Sequence, residues 1–262
     1  MDDKTIQLTG ITFAYLMLII PLSIIYIFKL PLFKKMLIAV TRMTLQLLFV
    51  GLYLQVVFRL NNPFLNLLWL IIMITVADVS ILRATDLKLR KLGRAIFAAL
   101  SVGTALPLAV FATLVLSSPA LFEARFMIPV GGMILGNCLR ADIIGIGSFY
   151  KSLRKEEKSF LLSLSQGANL SEATSPFMAD SLTSALSPTI ATMSTIGLVS
   201  LPGMMTGVIL AGANPITAIK YQLAIMMSIF TGTAITVVLA IKLTQKTAFI
   251  EYGVLDRNIF AS

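Results

Sequence analysis

The 262-residue sequence predicts an all-α, polytopic membrane protein with about seven transmembrane helices, forming one permease-like domain over residues 1–262. Three observations carry this reading. Hydrophobic residues make up 57% of the chain and charged residues 13%, against roughly 45–50% and about 25% in soluble domains. Mean hydropathy is +0.92. Uncharged runs of spanning length recur along the chain, with basic clusters between them. Together they exclude a soluble enzyme. The lack of histidine removes His-based acid–base catalysis, Ser-His-Asp triads and His metal sites. The single cysteine, Cys138, can make neither an internal disulfide nor a Cys-rich zinc site.

A spanning helix needs about 20 mostly apolar residues, because lipid offers its backbone groups no outside partner. The first span is the 24-residue uncharged run Thr5–Phe28, and the second, Met36–Phe58, is interrupted only by Arg42. The third is Leu60–Ala77 and the fourth Ala95–Phe122. The fifth, Phe126–Tyr150, contains only Arg140 and Asp142. The 39-residue uncharged run Ser181–Ile219 is too long for one span, and Leu201-Pro202-Gly203 and Asn214-Pro215 break it. It is expected to give a span ending near Leu201, a short hydrophobic hairpin or half-helix over Met204–Ala211, and a last span from about Ile216 that takes in Tyr221–Ile241. The leader Met1-Asp2-Asp3-Lys4 is acidic on balance and the run after it exceeds a signal-peptide core, so no cleaved signal is expected.

Basic residues set the topology. With the N-terminus outside and the C-terminus cytoplasmic, 17 of the 21 Lys and Arg residues fall on the inner side, leaving Lys4, Arg59, Arg125 and Lys220 outside. The net charge of +9 is therefore a topology signal and a possible contact with lipid headgroups. Nucleic acid is not expected as a partner, because the basic residues are scattered over four loops.

One cytoplasmic segment, Lys151–Asp180, is long enough to hold an element of its own. Lys151–Lys158 carries mixed charge and would continue the fifth span as a helix. Gly167 is a natural helix stop. Asn169 and Glu172 have the N-cap and N3 spacing that starts a new helix, which Pro176 should limit to about two turns, or else Pro176 opens the next helix. A short helix there, against the inner membrane face, has the geometry of an interaction element; an ordinary surface loop is the alternative.

At this point the chain resembles a known family. Gln166-Gly167-Ala168 with Glu172-Ala173, the run Gly197-Leu198-Val199-Ser200-Leu201-Pro202-Gly203-Met204-Met205-Thr206-Gly207, and Ile128-Pro129-Val130-Gly131-Gly132-Met133 are similar to the FetB-type permeases, as are Arg42 with Gln46 in the second span. These are membrane subunits of ATP-binding-cassette transporters implicated in bacterial iron export, with plant relatives linked to aluminium tolerance. The resemblance covers most of the chain. It implies a bacterial inner-membrane permease that exports iron or another metal with a separate ATPase; because one seven-helix chain offers a small pathway, a homodimer with fourteen spans is expected. It also implies that Gln166, Gly167, Ala168, Asn169, Glu172 and Ala173 form the coupling helix that docks on that ATPase. Leu164-Ser165-Gln166-Gly167 superficially matches the signature motif of the ATPases themselves, but no Gly-Lys pair occurs, so no phosphate loop accompanies it. The chain is expected to bind no cofactor, with ATP hydrolysed by the partner. A stand-alone secondary transporter or channel is the alternative function.

Ionisable and small residues at bilayer depth supply the candidates for a route or gate. Arg42 and Gln46 share a helix face, although Arg42 can also snorkel to the boundary. Asp78 is placed to pair with Arg83. Arg140 and Asp142 point in different directions on one helix and need partners elsewhere, water or a cavity. Met133, Asn137 and Arg140 fall on one face. Gly132-x-x-x-Gly136 and Gly203-x-x-x-Gly207 suit close helix packing or a dimer seam. Thioethers and a thiolate could pass Cu(I)-like or iron ions, while packing explains most of the 13 methionines. Pro202, Gly203, Met204, Met205 and Gly207 form a break that should line protein or a cavity.

Overall fold

The computed structural model describes residues 8–115, 123–250 and 253–261. Clustering of the backbone gives two compact units, Met1–Leu60 and Asn61–Ser262. Among the described residues every named element is helical, with only isolated bridges outside them.

The first unit holds α1 (Leu8–Leu16), α2 (Ile19–Ile27) and α3 (Phe33–Leu60). The first expected span is thus one apolar stretch with a break at Met17-Leu18; its start at Thr5 and the acidic leader lie outside the described residues. Pro21 explains the break. It has no N–H to give the Met17 carbonyl, and the chain tightens to Leu18 N–H→Tyr15 O (3.0 Å) and Ile20 N–H→Met17 O (3.3 Å). Within this unit the Tyr15 and Thr44 hydroxyls pair, tying α1 to α3.

The second unit holds α4 (Pro63–Ala84), α5 (Leu89–Val110), α6 (Ala124–Lys155), α7 (Glu157–Ser165), α8 (Leu170–Thr195), α9 (Gly203–Leu210) and α10 (Pro215–Ala248). Asn62 and Asn214 cap α4 and α10 by accepting from Phe64 N–H (2.9 Å) and Ile216 N–H (2.8 Å), each with proline at the first helical position. A π-helical turn, Phe111–Val115, extends α5; the rest of the expected fourth span, to Phe122, lies outside the described residues. The core runs along α4, α5, α6 and α10, with Leu92, Ile96, Leu100, Ile134, Ile146, Leu153 and Ile241 fully buried. Phe64, Leu198, Val199 and Leu210, by contrast, stand exposed, as lipid-facing side chains do.

Among the described residues, six stretches are long and apolar enough to cross a membrane: Gly10–Ile27, Phe33–Leu60, Pro63–Ala84, Leu89–Val115, Ala124–Lys155 and Pro215–Ala248. The sixth expected span, the one ending near Leu201, corresponds to α8, which at 26 residues has the length but is rich in Ser and Thr. Their hydroxyls donate back into the helix, Thr183 to Ala179 O (2.9 Å), Thr192 to Pro188 O (2.9 Å) and Ser194 to Ile190 O (2.9 Å). Each of these hydroxyls thereby meets its donor need within the helix.

Two boundaries differ from expectation. Pro176 neither stops the helix nor opens a new one: α8 is continuous from Leu170 to Thr195, starting eleven residues before Ser181 and stopping short of Leu201. Proline there costs only the bond to the Glu172 carbonyl near the helix start, and burial of Ala173, Thr174, Phe177, Ser181 and Ala185 along one face holds the helix through it. Asp78 does not pair with Arg83. The ion pairs among the described residues are Lys91–Asp256 and Arg257–Glu157, while the Asp78 carboxylate packs against Gly93.

The tightest helix crossing joins α5 to α10. A Cβ on Gly103 would lie 2.2 Å from Thr236 Cγ2, and one on Gly232 would lie 2.7 Å from the Gly103 carbonyl oxygen. That carbonyl is the one Pro107 cannot bond in α5, so proline and glycine together let it meet the next backbone. Gly136, Gly203 and Gly207, picked out by their spacing, have no atom within 4 Å of a Cβ. They are not packing contacts within the described residues, whereas a Cβ on Gly132 would lie 3.1 Å from Met73 Cε.

Where α4, α6 and α10 end, the segment after α10 folds back as a strap. Lys88 N–H donates to Ile259 O and Ala261 N–H to Asp86 O, both at 2.8 Å. Arg154 stacks over Phe260 at 5.2 Å, and Leu255 and Ile259 are buried. This end carries most of the second unit's Lys and Arg.

Candidate translocation site

The elbow between α7 and α8 forms as local sequence dictates. Gly167, at φ +96°, closes α7 in a Schellman turn: its N–H bonds Leu164 O (3.0 Å) and the Ala168 N–H bonds Ser163 O (3.1 Å). Two residues on, the Asn169 Oδ1 accepts from Glu172 N–H (2.9 Å) while Glu172 Oε2 accepts from Asn169 N–H (2.8 Å), a complete capping box. Gln166, Gly167, Asn169 and Glu172 are exposed, Ala168 is half-buried and Ala173 is buried. The mixed-charge stretch continues α6 only to Lys155, and α7 starts at Glu157. Phe160 of α7 packs edge-on against Phe177 of α8 (6.4 Å) and also against Phe249, so the elbow is anchored rather than loose. Beside it, Arg257 of the strap bonds Glu157 at 3.0 Å, and the Lys91 ammonium donating to Asp256 holds that carboxyl below the ordinary carboxylate range.

A cavity of about 420 Å³ opens between α6, α8, α9 and α10. α6 contributes Met133, Asn137 and Arg140, and α8 contributes Ala185, Pro188, Thr189 and Thr192. The break before α9 contributes Pro202, Gly203 and Met204, and α10 adds Gln222, Met226 and Ile229. Six sequence-derived candidates therefore meet in one place. The half-helix expected over Met204–Ala211 is α9, and it walls the cavity as irregular backbone at membrane depth should. Met205 lies on two adjoining cavities of about 220 and 300 Å³. Gly207 is exposed and borders none of these three.

Three candidates fall elsewhere. Arg42 and Gln46 are exposed on α3 in the first unit, and Arg42 takes part in no ion pair among the described residues. Asp142 separates from Arg140 because the two point to different sides of α6. Arg140 reaches the cavity, while Asp142 is fully buried with neither carboxylate oxygen hydrogen-bonded among the described residues. The Thr236 hydroxyl lies beside it but donates to Thr233 O at 3.1 Å. Cys138, one turn before Asp142, is fully buried at the Gly103–Gly232 crossing and away from these cavities.

The residue that sequence reasoning missed is Gln222. It borders all three cavities, is only 9% exposed, and its Oε1 has no hydrogen-bond partner among the described residues. Its one sequence signal is a lone amide within the apolar stretch Tyr221–Ile241, adjoining the charge of Lys220.

Long apolar helices, a broken helix and a cavity behind it define a multi-pass helical membrane protein with a built internal chamber. The chain belongs to the uncharacterised protein family UPF0014, which matches residues 8–249. It is 32% identical to the UPF0014 membrane protein YjkA of Bacillus subtilis over 98% of this chain and 100% of the relative. It is 31% identical to the probable iron export permease protein FetB of Escherichia coli over 94% and 93%. It is also 28% identical to the protein ALUMINUM SENSITIVE 3 of Arabidopsis thaliana over 95% and 90%. No solved structure matches the chain.

Proposed function

We propose that this chain is the membrane-spanning permease subunit of an ABC transporter in a bacterial inner membrane. It works as a homodimer, its N-terminus outside, and exports iron or another metal with energy from a separate ATPase. The observation that carries the reading is mechanical. α8 is one unbroken helix from the capping box at Asn169 to Thr189 and Thr192 at the cavity. A push on the elbow therefore moves a wall of the chamber, which is what coupling ATP hydrolysis to alternating access requires. The elbow sits among Lys and Arg, on the side that the positive-inside bias assigns to the cytoplasm. Its exposed Gln166, Asn169 and Glu172 are free to meet another subunit. The name of the Escherichia coli relative supports the substrate and the direction.

The test is co-purification of the chain with a co-expressed ABC ATPase. Gly167→Pro removes the left-handed turn and Glu172→Lys breaks the capping box. The double variant should still insert and purify, but should lose the ATPase and transport. Retention of both activities, or transport by the wild-type chain without any ATPase, overturns the coupling assignment in favour of a self-sufficient transporter.

A further inference from the structure

We infer that the chamber between α6, α8, α9 and α10 is a binding site for a soft monovalent cation, of which Cu(I) is the natural type and Ag(I) the probe. Its ligands are the Gln222 carbonyl oxygen and the thioethers of Met133, Met204 and Met226. The inference rests on reading this chamber as the carrying site, and it names the charge and softness of what is carried.

The first argument is an inventory of donors. The Asn137 amide N–H is spent on Met133 O at 2.8 Å, and the Thr192 hydroxyl on Pro188 O at 2.9 Å. The oxygens of these side chains keep lone pairs, while Asn137 keeps its second amide N–H and Arg140 and Thr189 bring further donors. Gln222 adds a carbonyl oxygen with no partner among the described residues, and the three methionines add thioethers. The unpartnered oxygen beside three thioether side chains is a set of acceptors that a cation would take.

The second argument is charge. No carboxylate borders the chamber, and no group of three or more His, Cys, Asp or Glu residues occurs among the described residues. A neutral site returns little of an ion's hydration energy, and that energy grows with the square of the charge, so a divalent ion loses roughly four times what a monovalent one does. Arg140, exposed at the edge of the same chamber, repels a divalent ion twice as strongly.

The third argument is softness. Thioether ligands select Cu(I)-like ions over ions that prefer oxygen. Met204 and Met226 each border the chamber and one of the two adjoining cavities, and Gln222 borders all three. The methionines are therefore shared among neighbouring cavities rather than confined to a single one.

The experiment is titration of the purified permease, without any ATPase, in a Cys138→Ala background so that no thiol competes. Ag(I) should bind saturably at one tight site per chain, and Fe(II) and Mn(II) should not displace it. Met204→Leu with Met226→Leu should weaken Ag(I) at least ten-fold, and each single variant several-fold, so a double variant that fails to fold still leaves a reading. Gln222→Leu should weaken Ag(I) while leaving the unfolding midpoint unchanged or raised, since it removes an unpartnered buried oxygen. Met43→Leu, on an exposed methionine of α3, is the control and should change nothing. Tight Fe(II) binding lost in the same variants, or Ag(I) binding indifferent to them, overturns the inference. Because no ATPase is present, either result leaves the coupling test above standing on its own.

Discussion

The α5–α10 crossing gives the sharpest test of how this bundle is held. Contacting carbon atoms sit about 3.5–4.0 Å apart, so the 2.2 Å that a Cβ at position 103 would leave to Thr236 Cγ2 is more than an ångström short. Rotating Thr236 relieves only that contact. The Gly232 carbonyl at 3.0 Å and the Thr236 nitrogen at 3.2 Å are backbone, so the two helices must part. Overpacking of this kind costs about 1–3 kcal/mol, and alanine returns about 1 kcal/mol as the better helix former, leaving a net loss of about 0–2 kcal/mol for Gly103→Ala. At Gly136 nothing lies within 4 Å, so Gly136→Ala keeps only the gain. The two variants should differ by the overpacking cost itself, about 1–3 kcal/mol, or roughly 2–12 °C in unfolding midpoint for a chain of this size. The assay is thermal unfolding of each purified variant in the same detergent. If Gly136→Ala loses as much as Gly103→Ala, the close approach has been assigned to the wrong glycines.

Two further outcomes are expected. The Lys91 hydrogen bond lowers the Asp256 carboxyl from its unfolded value, so its contribution is present at neutral pH and is lost as pH falls through the carboxylate range. Wild type should therefore lose midpoint more steeply than Asp256→Asn below about pH 5, with the strap opening to protease first, and parallel profiles would show that the pair holds nothing. Cysteines at 204 and 205 in a Cys138→Ser background should react with a small water-soluble thiol reagent to different extents in nucleotide-free and ATP-trapped complexes, because both face cavities behind the broken helix. Full and constant labelling in both states would reduce the segment to a surface turn.

What was legible in the sequence was what is local. The Schellman turn at Gly167 and the capping box at Asn169 and Glu172 are specified by residues a few positions apart, and both form as read. The shared helix face of Met133, Asn137 and Arg140 and the Pro202-Gly203 break were likewise readable, while only the fold shows that the two meet at one chamber. What was not legible depends on helices far apart in sequence. Gly103 and Gly232 carry no mutual spacing, and only the fold shows that they touch, while the small-x-x-x-small pairs face open space. Pro176 misled because a local helix-breaking preference was outweighed by burial of one whole face of α8. Asp78 near Arg83 suggested a pair that the packing against Gly93 replaces. Gln222 is a single amide in an apolar run and gains meaning only from the three cavities around it. The strap has no periodic pattern at all; its partners, Asp86, Lys88 and Lys91, lie far earlier in the chain.

The back-bonded hydroxyls of α8 have a consequence for how the protein is made. An insertion machinery that weighs each segment by its affinity for hydrocarbon meets five strongly apolar segments and then α8, whose Ser and Thr make it the weakest candidate of the set. Once helical, α8 has already met several of its own donors, and its buried face of Ala173, Phe177 and Ala185 needs protein rather than lipid. A Cβ on Gly145 of α6 would meet both Ala185 of α8 and Val237 of α10, and α8 packs on both of those helices, so part of that resting place is α10, which is translated later. Membrane entry of α8 should therefore be completed only when α10 arrives, making these two helices one unit of biogenesis though they are separate segments of sequence.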